Sequence, residues 1–151
     1  MLPRVRRLAL VIALALGSAG CGGEGGGERL TAQEFRDQAN RICTDLDKEL
    51  EGLGDPGSLD ELSTQLEAGR EIFEDALGQL RGLRPPEDLQ ADYDRLLATG
   101  DDALEALSSM QEAAEDGDVE EVGRIAEEAE RADQESDEIA QGLGLDACAT
   151  D

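Results

Sequence analysis

From Phe35 to Leu143 the apolar positions return at steps of three and four, the period of a helix with one buried face. The first stripe is Phe35, Ala39, Ile42, Cys43, Leu46 and Leu50. Ahead of it Thr31-Ala32-Gln33-Glu34 reads as a T-x-x-E capping box, with Leu30 and Phe35 placed as a hydrophobic staple. Gly52 stops the stripe, and GLGDPG makes a turn. Ser58-Leu59-Asp60-Glu61 is a second box, opening the stripe Leu62, Leu66, Gly69, Phe73, Ala76, Leu80, Leu83; Gly82 and Pro85-Pro86 end it. Pro86 can start the third helix, with Leu89, Tyr93, Leu96, Gly100, Ala103, Leu107, Met110 and Ala114, as far as Asp116-Gly117. Asp118-Val119-Glu120-Glu121 gives a third box, followed by Val122, Ile125, Ala129, Ala132, Ser136, Ile139 and Leu143. Four long amphipathic helices with short connections predict an all-α domain over 31–151, an antiparallel up-down four-helix bundle.

The pattern before Thr31 is of another kind. MLPRVRR is a positive segment, and Leu8 to Leu16 is an unbroken apolar run. A spanning helix needs about 20 apolar residues, so this run is too short for a permanent membrane anchor. Gly17-Ser18-Ala19-Gly20 then leads into Cys21. Ala19-Gly20-Cys21 resembles the lipobox of bacterial lipoproteins, although Ser18 stands where Leu is usual. The resemblance implies a signal peptide at 1–20 and a Cys21 that receives diacylglycerol and becomes the new N-terminus. The alternative is ordinary secretory cleavage near Ala19, leaving a soluble protein with a free thiol. Residues 21–30 are a Gly-rich tether, reaching roughly 15–18 Å as a random coil. The expected location is the outer face of the cytoplasmic membrane or the cell envelope, with membrane lipid as partner through Cys21.

Charge narrows the partners. Thirteen basic residues face thirty-seven acidic ones, a net charge of −24, and the expected leader holds three of the arginines and no acid. Nucleic acid is excluded, because phosphate binding needs clustered cations. Anionic lipid surfaces are repelled as well, so the domain needs its anchor to stay on a membrane. Arg29, Arg36, Arg81 and Arg84 belong to the tether end of the bundle, where they keep that end compatible with anionic head groups; Arg81 and Arg84 equally suit a helix C-terminus without any membrane.

Candidate chemistry is sparse. The chain has no histidine, which removes the commonest general base and the commonest zinc ligand together. It has no G-x-S-x-G elbow and no Glu-x-x-His pair for a di-iron bundle site. Asp101-Asp102, Asp116-Gly117-Asp118 and Glu127-Glu128 attract cations, but none matches a calcium loop. The expectation is therefore no catalytic residue, no metal and no cofactor. Gly69, Gly100, Ala129, Ala132 and Ser136 fall on inward seams. Small residues there let helices approach closely, or they leave a cavity for a small apolar ligand.

Three cysteines are an odd number for an oxidising compartment. Cys43 and Cys148 both lie in the domain, and pairing them leaves Cys21 for lipid. Closure requires the tail after Leu143 to fold back along the first helix, because Cys43 sits about 18 Å up it. The segments EFRDQANRIC, LRPPEDLQADYDRLL and GLGLDAC together resemble a group of small helical lipoproteins from actinobacteria and their relatives. The resemblance implies the same disulfide and no assigned activity. The expected function is a non-catalytic interaction or scaffold module with an envelope protein as partner; the alternative is a ligand-binding lipoprotein with a cavity between helices.

Overall fold

A computed structural model describes residues 28–149 of the chain; the leader, Cys21 and the tether as far as Gly27 lie outside the described residues. Those described form α1 (Ala32–Glu51), α2 (Leu59–Arg81), α3 (Glu87–Glu115) and α4 (Val119–Leu143), then a short 3-10 turn at Asp146–Cys148. This is the all-α four-helix architecture that the stripes predict. Among the described residues no helix is long and apolar enough to cross a membrane.

The caps explain where the helices begin. At α1 the box is complete: Thr31 Oγ1 accepts from Glu34 N–H, and Thr31 N–H donates to Glu34 Oε2 at 3.0 Å. The other two boxes are half formed. Ser58 accepts from Glu61 N–H, but the Glu61 carboxylate takes the N–H of Gly57 at 2.7 Å, one residue further out. Asp118 accepts from Glu121 N–H, while the Glu121 carboxylate is held by Arg124, a charge-assisted bond stronger than one to a backbone amide. Pro86 is the residue before α3 rather than its first; Glu87 and Asp88 complement the helix dipole there.

Packing follows chain order. α1 lies on α2, α2 on α3 and α3 on α4, whereas α1 and α4 are not packed along their lengths. They meet at the tether end. There Phe35, Ala39 and Cys43 join Leu80, Tyr93, Ile139 and Leu143 in a buried cluster, with Leu30 against it as the staple requires. Tyr93 is wholly buried, and its hydroxyl donates to the carbonyl of Leu80 at 2.7 Å, so burial costs the phenol no hydrogen bond.

Beyond α4 the chain reverses. Gly144 adopts φ +76°, and two bonds, Leu145 N–H to Ala140 O and Gly144 N–H to Gln141 O, close the helix as a Schellman motif. A side chain at Gly144 would also collide with Arg36, whose Nε donates to Leu143 O at 2.8 Å. The tail then runs back along α1 as closure of the disulfide demands. Asn40 holds it on both sides, donating to Gly144 O at 3.2 Å and accepting from Ala147 N–H at 2.8 Å. Cys43 and Cys148 are bonded, with Cα atoms 5.1 Å apart across a sequence separation of 105.

Candidate functional site

Past Cys43, moving away from the tether, the α1 stripe stays apolar but ceases to be buried. Phe35, Ala39 and Cys43 are buried, whereas Leu46 and Leu50 on the same face of α1 are only half-buried. Phe73, Leu107 and Met110 on the facing helices are half-buried too. The cause lies in α4, which lines this space with Ala129, Ser136 and the solvent-exposed Ala132. These side chains are too short to fill the space opposite Leu46 and Leu50.

What remains is a solvent-connected cavity of about 580 Å³ with walls from all four helices. The disulfide, Ala147, Leu80 and Leu96 close one end, and Ile125 and Met110 lie toward the other. Along α4 it runs from Arg124 to Asp137, about 20 Å at 1.5 Å per residue. The volume falls inside the ordinary range for small-molecule sites.

The five small seam residues all line this cavity, but they do different things. Gly100 serves close packing, since a Cβ on it would lie 2.8 Å from Cδ1 of Leu77. Ala129, Ala132 and Ser136 create the void. A polar pair marks the wall between α3 and α4: Thr99 Oγ1 lies 3.2 Å from Ser136 Oγ and donates to Leu96 O at 2.8 Å.

The sequence reading missed the charged edge of this space. Asp47 from α1, Asp102 and Glu105 from α3, and Glu128 and Asp133 from α4 border the cavity and are exposed to solvent, with Asp137 beside them. Among the described residues Arg124 is the single basic one on the lining, and it is bonded to Glu121 and Glu128. Asp133 carries a carboxyl pushed above its ordinary value, first by partial burial and then by Asp137 and Glu130. The signal was present in the sequence, as Glu128, Asp133 and Asp137 flank the Ala129–Ala132–Ser136 stripe. Which acids on α1 and α3 come round to the same opening depends on packing alone.

The other singled-out residues lie elsewhere. The Asp101 carboxylate pairs with Arg81, and Asp118 caps α4. Among the described residues no three acidic, cysteine or histidine side chains gather as a metal would need. Arg29 and Arg36 are engaged inside the fold, Arg29 donating to Pro85 O at 2.8 Å and Arg36 to the end of α4. A second depression, between the outer faces of α3 and α4, is polar and bordered by Asp92, Arg95, Arg131 and Glu135; Arg95 bridges Asp92 and Glu135 across it. Cys21 lies outside the described residues. No protein-family model matches the chain, and neither does any curated protein or solved structure.

Proposed function

We propose that this chain is an extracytoplasmic, lipid-anchored binding protein that takes an elongated apolar ligand between its helices. The observation that carries the reading is the cavity beside α4, built from small side chains in a stripe that is otherwise suited to close packing. A bundle selected only for rigidity gains by filling such a space, because each buried methylene is worth about 0.8 kcal/mol. The cavity at the small-residue seam is what favours this reading over the scaffold one. The role is binding and not catalysis: the chain has no histidine, and the Thr99 and Ser136 hydroxyls are paired with each other and with a backbone carbonyl.

The anchor belongs to the same proposal and rests on the leader, the lipobox-like Ala19-Gly20-Cys21 and the glycine tether. So does membership of the helical lipoprotein group that the chain resembles. Anchoring at Cys21 would leave the closed, disulfide-bonded end nearer the membrane and extend the cavity away from it.

Two measurements test this. Intact mass of the membrane-extracted protein should show a chain beginning at Cys21 with its acyl groups; a chain beginning near position 20 without lipid would remove the anchor. For the cavity, the exported chain carrying Cys21→Ser is titrated with the neutral reporter N-phenylnaphthylamine. Saturable fluorescence enhancement is expected, abolished by Ala129→Phe with helicity intact. Equal enhancement in both proteins, or none in the parent, would end the ligand reading.

A further inference from the structure

We propose that the cavity selects a single-chain amphiphile with a cationic head group, a refinement that rests on the apolar-ligand reading above. Three observations combine. The interior is apolar, and its volume of about 580 Å³ is that of a small-molecule site. Its edge is acidic on three sides: Asp47 on α1, Asp102 and Glu105 on α3, and Glu128 and Asp133 on α4. The one basic group on the lining among the described residues, Arg124, already answers Glu121 and Glu128.

Charge then decides among the guests. An anionic amphiphile such as a fatty acid would bring its carboxylate against these side chains, inside the field of a chain at −24. A second copy of the protein would set one acidic edge against another. A basic amphipathic helix matches the charge, but a cavity of about 580 Å³ is of small-molecule size. A cationic head group on an alkyl chain satisfies both, with the chain over Leu50, Phe73 and Leu107 and the head at the carboxylates. Asp133 adds support, because its partly buried carboxylate gains from a cation what it has lost in hydration.

The test is calorimetric titration of the exported chain (Cys21→Ser) with dodecyltrimethylammonium, dodecyl maltoside and dodecanoate, each below its micelle concentration. The cation should bind about tenfold or more tighter than the maltoside, with dodecanoate weakest. Salt should shrink the cation's advantage and leave the maltoside unchanged, since only charge is screened. Asp47→Asn with Asp133→Asn should narrow the same gap without moving the maltoside affinity. Equal affinity for cation and maltoside would overturn the charge selection while leaving the cavity reading in place, whereas failure of all three ligands ends both. Cation binding that survives Ala129→Phe would assign it to the acidic surface at large and overturn the proposal. Self-association in sedimentation that Ala129→Phe abolishes would give the cleft to a second copy, with the same consequence.

Discussion

Gly100 of α3 lies directly against Leu77 of α2: a Cβ at position 100 would stand 2.8 Å from one Leu77 methyl and 3.3 Å from the other. Gly69, on the same cavity wall, has only ordinary contacts at 3.6 and 3.7 Å, to Leu53 and Leu50. Both glycines are helical and both would gain up to about 1 kcal/mol in helix propensity as alanine. Gly69→Ala is therefore expected to raise the urea midpoint. Gly100→Ala should lower it, overpacking a buried leucine at a cost of about 1–3 kcal/mol. The same sign for both substitutions would show that Leu77 yields freely.

A second relationship holds the closed end. Phe35 and Tyr93 meet edge to face, centroids 4.8 Å apart and planes at 86°, with the tyrosine hydroxyl on Leu80 O. Leu80 O also accepts from Leu83 N–H, so Tyr93→Phe strands no acceptor and should cost only about 1 kcal/mol. Phe35→Ala removes a ring from the core and should cost about 3–5 kcal/mol.

Tyr93 is also the only tyrosine, which makes its titration readable. Burial raises its phenol above the ordinary value of 10. A raised folded value means that the stabilising contribution is complete below about 10 and is lost as pH climbs toward the folded value. Phenolate absorbance should therefore appear together with loss of helicity in alkali. Titration near 10 with helicity intact would contradict the burial.

Much of this fold was legible because it is periodic. The stripes from Phe35 to Leu143, the caps at Thr31, Ser58 and Asp118 and the glycines that end the helices are local signals, and each marks a helix boundary to within about a residue. The disulfide was legible as a count, and its route followed from the length of α1. The cavity was legible only as an ambiguity. Gly100 and Ala129 look alike in a seam, yet one is matched by a long side chain opposite and the other is not. That difference depends on α1 failing to pack along α4, which no local pattern encodes. The acidic edge joins residues as distant as Asp47 and Asp133, so it exists only after folding.

Since α1 and α4 are not packed along their lengths, the Cys43–Cys148 bond and Asn40 carry much of the attachment between the two ends of the chain. A closed loop of about 100 residues is worth about 4.7 kcal/mol in the chain-entropy model. Reduction should lower stability by about 2–5 kcal/mol, with amide exchange accelerating first in α1 and in the tail. Asn40→Ala loses both tail bonds and should cost about 1–3 kcal/mol in the oxidised protein. Its cost should be smaller once the disulfide is reduced, because both devices hold the same segment. Strict additivity would mean that they act independently.

Asp133 ties stability to the cavity edge. Its folded value lies above the ordinary 3.8, through burial and then through Asp137 and Glu130, so the fold prefers the protonated acid. The sign follows directly: this preference contributes stability below about 3.8, and the contribution is lost as pH rises through the folded value. At neutral pH the ionised carboxylate opposes folding, and Asp133→Asn should raise the melting temperature. Below pH 3.8 parent and variant should melt together. A melting difference independent of pH would trace the effect to packing. If a cation occupies the edge, saturating dodecyltrimethylammonium at pH 7 should reduce the advantage of Asn, since the bound charge then favours the ionised form that the empty site disfavours.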